Sequence, residues 1–385
     1  MSTLENITDI RLKEGLLALG VTNKPTCFRP HTYMLFHPNG YATACCYACK
    51  YPYGKYPEQS LHDIWFGKAR QDIIKAMDNE YDFHLTCDQV CYEQVCIKDQ
   101  GCMPAIMRTE GFPYPAPAYP TRLELIIDTV CNYECIMCGG YLSSSIRRNR
   151  EHSIPHKIPY DDEFVNQLEE FIPHVGIVYM SGGEPLVAPY FLKVLERIAK
   201  INSDAFVELT SNCSTYNKRT QKILDLLPNL TVTVSLNAIS KDNYKFITTH
   251  GDIDNVLGNL KKLGSRLNKM NVCPMIQNVN EIPNLVKFCD ENNVIINFLY
   301  CFMPTGGKLK GIHIGGTNEY AEGIRLPDNV LAQKPFIPEF NLATLSKSKL
   351  QKIHDNLIKI TEWCSPQNQH PVKHLCHRIS ALADK

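Results

Sequence analysis

One stretch constrains this chain more than any other: Leu123–Gly140, LELIIDTVCNYECIMCGG. Its apolar run Leu123–Ile127 reads as a buried strand that ends at Asp128-Thr129. Three cysteines follow at once, Cys131, Cys135 and Cys138, in the spacing C-x3-C-x2-C. Three thiolates on one short loop suit a metal centre, because soft sulfur ligands select iron–sulfur clusters, zinc or Cu(I). No fourth cysteine lies at this spot. One metal position would stay open, and an open position is what a catalytic site keeps.

The rest of the composition sets bounds. At 385 residues the chain exceeds what one hydrophobic core usually covers, so two domains, or a barrel with an appendage, are expected. Lys+Arg and Asp+Glu are both 40, which gives no push toward nucleic acid or acidic membranes. The first residues, MSTLENITDIRLKEGLL, lack the basic and apolar regions of a signal peptide. No apolar run approaches the roughly 20 residues of a membrane span. The expectation is a soluble, cytoplasmic protein. Seventeen cysteines is an odd number, so not all can pair within the chain. In a reducing compartment clustered cysteines point to metal or redox chemistry. Eight of them lie in the first 102 residues: Cys27, Cys45, Cys46, Cys49, Cys87, Cys91, Cys96 and Cys102.

Taken in order, Ile7 to Leu19 reads as a helix. Tyr33–Phe36 and Tyr41–Ala44 read as strands joined through His37-Pro38-Asn39-Gly40, since Asn-Gly is a hairpin turn signal. Ser60, three residues before Asp63, reads as a helix cap, with the helix running to about Met77. Residues 1–103 thus form an N-terminal cysteine-rich domain. Residues 104–120, with five prolines, form a stiff linker. From Thr121 strand and helix alternate. The strands read Arg122–Asp128, Val175–Ser181, Ala205–Ser211, Thr231–Leu236, Val272–Gln277 and Val294–Cys301. Helices fall between them at about 161–172, 189–201, 216–227, 254–268 and 281–292. Short β-branched and apolar runs are expected of strands buried on both faces of a parallel sheet, open or barrel-like. Residues 121–302 form this core. Residues 303–385 form an extension with helices at about 344–362 and 371–383.

Ligands of parallel β/α folds bind at the carboxyl ends of strands. Here strand one ends in the cysteine loop, strand two in Ser181-Gly182-Gly183-Glu184-Pro185, strand three in Ser211-Asn212, and strand four in Ser235-Leu236-Asn237. Paired glycines let a ligand approach the backbone and leave carbonyls to accept hydrogen bonds.

With these two motifs in register, the chain over about 120–302 resembles the radical S-adenosylmethionine (radical SAM) enzymes. The resemblance implies a partial (β/α)6 barrel. It implies a [4Fe–4S] cluster on Cys131, Cys135 and Cys138, with SAM chelated to the fourth iron through its amino and carboxylate groups. In that family the reduced cluster cleaves SAM to a 5′-deoxyadenosyl radical that abstracts hydrogen from a substrate. By position, Gly182, Gly183 and Glu184 hold the methionine amino end, and Ser211, Asn212, Ser235 and Asn237 are candidates for the carboxylate and ribose. A reductase, flavodoxin or ferredoxin would supply the electron. The first 103 residues resemble auxiliary-cluster domains of the SPASM and twitch type: Cys27, twelve residues, Gly40, four residues, Cys45, and then Cys87, Cys91, Cys96 and Cys102. Two features depart from that pattern. The domain precedes the barrel, and the later spacing is C-x3-C-x4-C-x5-C. An auxiliary [4Fe–4S] cluster is implied, with its ligand set open.

Plainer readings stand beside these. Zinc would also use the N-terminal thiolates. Gly182-Gly183 could be an ordinary turn, and Ser211 and Asn212 could cap the next helix. Cys213, Cys273, Cys289 and Cys301 read as core residues. His370, His374, Cys376 and His377, with Cys364, could hold a metal. Arg147, Arg148 and Arg150 read as a solvated face or as a patch steering an acidic substrate. By resemblance, a peptide or protein side chain is the first expectation for the substrate. The alternatives are dehydrogenation or epimerisation of a small sugar-like molecule, and a non-catalytic iron–sulfur or zinc module.

Overall fold

The structure is a computed structural model that describes residues 29–44, 52–78, 116–299 and 342–383. The expected first helix, the eight N-terminal cysteines, Pro104–Pro115, Cys301 and residues 303–341 lie outside the described residues. The chain divides into two compact units. The first holds described residues 29–44, 52–78, 116–125 and 159–178, and the second holds 126–158, 179–299 and 342–383.

In the first unit a short helix α1 (Arg29–Thr32) leads into β1 (Tyr33–Phe36), which pairs antiparallel with β2 (Tyr41–Thr43). The turn between them is the expected one. Gly40 has φ +92°, and a Cβ there would lie 2.2 Å from Tyr56 O, so only glycine fits. β3 (Gly54–Lys55) extends the hairpin, and β4 (Arg122–Leu125) pairs parallel with β1. Ser60 caps α2 (Leu61–Phe66) as expected, accepting from Asp63 N at 3.0 Å. The expected long helix breaks at Gly67, and α3 (Lys68–Asp78) follows. The core is aromatic. Phe36 meets Phe164 of α5 (Asp162–Gln167) edge-on at 5.1 Å, and Trp65, fully buried, donates to Ala118 O at 2.7 Å. Each such ring contributes about 1.5–3 kcal/mol through burial. β5 (Ile177–Met180) begins in this unit and ends in the other.

The second unit alternates strand and helix. α4 (Ser144–Asn149) follows the cysteine loop. Then come α6 (Pro189–Ile201), β6 (Phe206–Ser211), α7 (Lys218–Asp225), β7 (Leu230–Ser235), α8 (Lys241–Thr248), α9 (Ile253–Leu263), β8 (Leu267–Val272), α10 (Ile282–Glu291) and β9 (Ile295–Phe298). β6, β7, β8 and β9 are parallel in that order. Five of the six strands expected for the core are present, and the fold is α/β with a parallel-strand sheet.

Two expectations about the strands need correction. The fifth is Leu267–Val272, not Val272–Gln277. The strands are also not buried on both faces. On one face Val207, Leu209, Val232, Val234, Met270, Val272 and Ile296 are fully buried. On the other, Glu208, Thr210, Ser235, Lys269 and Asn271 are half-buried and Asn297 is exposed. There Glu208 accepts from Thr233 Oγ1 at 3.1 Å and from Lys269 Nζ at 3.2 Å, and Asn297 donates to Asn271 at 2.8 Å. Such strands alternate apolar and polar residues because, among the described residues, helices cover only one side.

The extension contributes α11 (Lys347–Trp363) and α12 (Pro366–Ala383), which pack on each other and on α10, with α12 also against β9. Asn368, fully buried, accepts from Ile296 N at 2.7 Å and donates to Val294 O at 3.0 Å. Ser365 Oγ donates to Asp290 at 2.5 Å, which ties the helix pair to α10. No described helix is long and apolar enough to cross a membrane.

Candidate functional site

All the candidate residues of the core lie in the second unit. At the end of the first core strand, buried Asp128 turns the chain by accepting from Thr129 N at 2.7 Å and Val130 N at 2.9 Å. The cysteine loop that follows is tied on several sides. Ser145 Oγ donates to Cys131 O at 2.8 Å, and Ser143 Oγ donates to Tyr133 O at 3.3 Å while capping α4. Arg150 donates to Cys135 O at 3.1 Å and to Cys138 O. Gly140 N donates to Glu151 at 2.7 Å, and Glu151 forms a buried ion pair with Arg147. Ile136 N and Glu134 N donate to Ile247 O at 2.8 Å and Thr248 O at 3.3 Å, the last carbonyls of α8. Of the three arginines, Arg147 departs from the solvated-face reading, since it is buried in an ion pair. Arg148 and Arg150 are exposed as that reading expects, and Arg150 also clamps the cysteine loop.

The Gly182–Glu184 tip packs directly on this loop. Gly183 N donates to Leu142 O at 3.2 Å, and Glu184 N donates to Val130 O at 2.7 Å. Gly182 and Gly183 have φ of +92° and +53°, and a Cβ on them would lie 2.4 Å from Ile126 Cγ2 and 2.5 Å from Val130 O. Close approach, more than turning, makes both positions glycine. Their carbonyl oxygens accept none of the backbone hydrogen bonds found among the described residues.

Glu184 is 1% exposed, and its carboxylate faces inward. It accepts from Ser211 Oγ at 2.6 Å, Asn212 N at 2.6 Å and Leu186 N at 3.1 Å, joining the tips of β5 and β6. Burial pushes its carboxyl up to about 6 against the pull of those three hydrogen bonds. Asn212 does not cap the next helix, whose cap is Asn217. Asn212 instead donates to Asn132 of the cysteine loop at 3.1 Å and accepts from Ser214 N at 2.9 Å. Asn132 in turn donates to Ser214 Oγ at 2.8 Å. Cys213, between them, sits at φ +54°, a strained value for a residue other than glycine. Asn259 of α9 anchors it by donating to Cys213 O at 3.0 Å. Asn237 is buried and accepts from Cys273 N at 2.7 Å, tying β7 to β8, whereas Ser235 lies half-buried on the polar face beside Asn271. Sequence reasoning missed Asn132, Ser214, Asn259 and α8. A short helix opening on Ser240 and Asp242 was the available signal for the last of these.

The three thiols fit a cationic iron–sulfur centre. Burial pushes Cys131 up to about 12 and Cys138 up to about 11, the latter partly offset by Arg150, and burial holds Cys135 well above its usual range. Only a bound cation draws such thiols into the thiolate form at neutral pH. Among the described residues no three His, Cys, Asp or Glu side chains come close enough for a single metal ion. His370, His374, Cys376 and His377 lie along α12. Cys213, Cys273 and Cys289 are buried, as expected of core cysteines, and Cys364 and Cys376 are buried too.

Comparison with known proteins agrees with this geometry. Residues 125–289 match the radical SAM superfamily, and residues 27–93 match an iron–sulfur cluster-binding domain of the SPASM type. A protein from Methanococcus maripaludis strain C5 named "Probable GTP 3′,8-cyclase" is 28% identical over 216 residues, covering 55% of this chain and 68% of the relative. One of the same name from Methanocaldococcus jannaschii is 27% identical, covering 50% of this chain and 62% of the relative. The GTP 3′,8-cyclase of Listeria monocytogenes serotype 4b is 27% identical, covering 48% and 54%. The chain thus spans between about half and two thirds of these relatives. Among solved structures, Streptococcus suis SuiB bound to S-adenosylmethionine aligns at 15% identity and TM-score 0.41, covering 72% of this chain and 61% of that one.

Proposed function

Because the chain belongs to the radical SAM enzymes and carries an iron–sulfur cluster-binding domain ahead of its core, we propose that Cys131, Cys135 and Cys138 hold its SAM-binding [4Fe–4S] cluster. Its cofactors are SAM and this cluster, with an auxiliary cluster in the N-terminal domain. The auxiliary ligands are drawn from Cys27, Cys45, Cys87, Cys91, Cys96 and Cys102, and the domain limits are 1–103, 104–120, 121–302 and 303–385. When bound, the cluster and SAM supply a carbon-centred radical that takes a hydrogen atom from the substrate.

The chain's own residues hold and orient. The carbonyls of Gly182 and Gly183 would accept from the amino group of SAM. Glu184 acts from beneath, keeping Ser211 and Asn212 at fixed positions beside the cysteine loop, where they can meet the carboxylate and ribose. Ser235 serves from the polar face, and Asn237 keeps the β8 tip in line. The observation that carries the reading is the lock between the cysteine loop and the glycine tip, Gly183 N to Leu142 O and Glu184 N to Val130 O.

For the substrate we favour a peptide or protein side chain. The polar face of β6–β9 offers hydroxyls, amides and a self-neutralised Glu208–Lys269 pair, groups that match neutral amides. The relatives' names favour a second reading, a guanine nucleotide. A triphosphate calls for several cations, and Lys269, the cation on this face among the described residues, is already paired. A small sugar-like substrate would also suit a neutral face. The electron would come from a reductase, flavodoxin or ferredoxin.

The test is anaerobic reconstitution with iron and sulfide, then dithionite and SAM. We expect 5′-deoxyadenosine, its loss in Cys135→Ala with auxiliary iron retained, and stimulation by peptide pools. Absence of 5′-deoxyadenosine from the fully reconstituted protein refutes the enzyme reading. Stimulation by GTP or a sugar instead of peptides refutes the substrate.

A further inference from the structure

The stretch 141–158, which leaves the cysteine loop and runs through α4 and beyond it, holds four cations, Arg147, Arg148, Arg150 and Lys157, and one acid, Glu151. The fold turns that acid inward. Glu151 accepts from Gly140 N, pairs with Arg147, and keeps 10% of its side chain exposed. The chain after α4 folds back on the helix, with Ser153 N donating to Arg147 O at 2.8 Å and Arg147 Nε donating to Ile154 O. What remains outside is positive: Arg148, Arg150 and Lys157 are exposed, and so is His152. Ile154, between His152 and Lys157 in the chain, is 85% exposed. Among the described residues, Arg148, Arg150 and Lys157 have no acidic side-chain partner.

This surface adjoins the cysteine loop. Arg150 reaches from it to Cys135 O at 3.1 Å and to Cys138 O. The end of α8 meets the end of α4 at the same loop, because Glu134 accepts from Asn149 Nδ2 at 2.5 Å and lies 3.7 Å from His250 Nε2. α8 adds Lys245 and Phe246, both exposed. The acids of that bank are Asp242, a turn ahead of Lys245, and Asp252, which caps α9. The whole chain has as many acids as cations, so the positive field beside the loop is local. Such a patch draws in an acidic surface and speeds its encounter.

We propose that the patch formed by Arg148, Arg150, Lys157 and Ile154 is the docking surface for an acidic one-electron carrier protein. This rests on the cluster assignment above: the carrier is oxidised by one electron, and the cluster on the cysteine loop is reduced by that electron. Charge complementarity selects an acidic partner. Position selects a carrier, since Arg150 joins the patch to the backbone of two of the three cysteines, and a protein seated there lies against the loop to which the electron must pass. The substrate does not need the patch, because the face proposed for it carries the self-neutralised Glu208–Lys269 pair. Electron-transfer encounters are small, under about 1,200 Å², so a few cations around one exposed apolar side chain suffice.

The test uses iron-matched holoprotein under anaerobic conditions, with a purified flavodoxin in one arm and a purified ferredoxin in the other. Two quantities are read. One is binding of the oxidised carrier by titration calorimetry. The other is the initial rate of 5′-deoxyadenosine formation, driven by the reduced carrier or by reduced methyl viologen, a small cation that a positive patch does not attract. In the double variant Arg148→Glu, Lys157→Glu, the affinity for at least one carrier, and the rate that carrier drives below saturation, should fall about tenfold or more. The viologen-driven rate should stay at or above the wild-type value. Added salt should reproduce the carrier-specific loss in the wild-type protein, with no substitution made. Lys352→Glu, which reverses an exposed charge on α11, should leave both quantities in place. Three results overturn the docking surface and leave the cluster assignment standing: unchanged binding and rate with both carriers, an equal loss with viologen, or carriers that fail to drive the wild-type protein where viologen succeeds. Absence of 5′-deoxyadenosine from the reconstituted wild-type protein with viologen overturns the cluster assignment itself.

Discussion

Replacing Gly183 by alanine tests whether the glycine tip holds the cysteine loop. Two costs arise at that position. The first is conformational, since φ is +53° and an alanine there loses about 1–2 kcal/mol. The second is steric, since the new Cβ would lie 2.5 Å from Val130 O, short of the 3.4 Å of an ordinary contact by 3.4 − 2.5 = 0.9 Å. Overpacking of that kind costs about 1–3 kcal/mol. The molecule supplies its own control. Gly264, at the end of α9, has φ +57°, but a Cβ there meets nothing within 4 Å. Gly264→Ala should thus lose only a conformational part, about 1–3 kcal/mol at φ +57° and ψ −130°, and keep full activity. Gly183→Ala should lose about 2–5 kcal/mol. It should also displace Val130–Cys131 by up to 0.9 Å, and a shift near 1 Å can cost about a hundredfold in rate. The assays are anaerobic thermal unfolding and the initial rate of 5′-deoxyadenosine formation at matched iron content. If Gly183→Ala unfolds with Gly264→Ala and cleaves SAM at the wild-type rate, the close approach of tip and loop is not what positions the site.

Three further substitutions probe the other supports. Glu184→Gln removes a carboxyl raised to about 6 from 4.5, whose contribution is full below about 4.5 and fades as pH rises through 6. The stability gap between wild type and variant should narrow by about 1 kcal/mol from pH 5 to 7 in denaturant titrations, and a gap that widens contradicts the burial argument. Arg150→Lys keeps the charge but loses the fork that reaches both Cys135 O and Cys138 O. Iron loss to a chelator should quicken on the order of tenfold, the worth of one charge-assisted hydrogen bond. Lys269→Ala breaks a partly exposed pair with Glu208 and should cost no more than about 1 kcal/mol of stability. It should raise the substrate KM while SAM cleavage without substrate continues, and an unchanged KM would remove the polar face from substrate binding.

Much of the site was legible in the sequence because its chemistry is local. Cys131, Cys135 and Cys138 share one loop, and Gly182-Gly183 announces a close approach whatever lies opposite. What lay opposite was not legible, since Val130 O and Leu142 O become partners only through the fold. The inward turn of Glu184 was equally hidden, because a glutamate beside paired glycines reads the same whether it faces a ligand or Ser211. The slip in β8 has a different cause. Lys269 and Asn271 are polar because one face of the sheet is open, so a search for strands apolar on both sides passed over Leu267–Val272 in favour of the residues after it. Helix α8 escaped because its sequence, KDNYKFIT, is short and polar, and its stability comes from Glu281 and the cysteine loop, both distant in sequence.

Strand β9 ends the parallel run, and the last strand of any sheet is a template: its bare N–H and C=O groups will accept whatever extended chain drifts past. Here one side-chain amide imitates that missing neighbour, with Asn368 answering the N–H of Ile296 and the C=O of Val294 at once. The imitation has the hydrogen-bonding capacity of a peptide unit but cannot propagate, because a helix stands behind it in place of more strand. Among the described residues the sheet therefore terminates by occupation at β9.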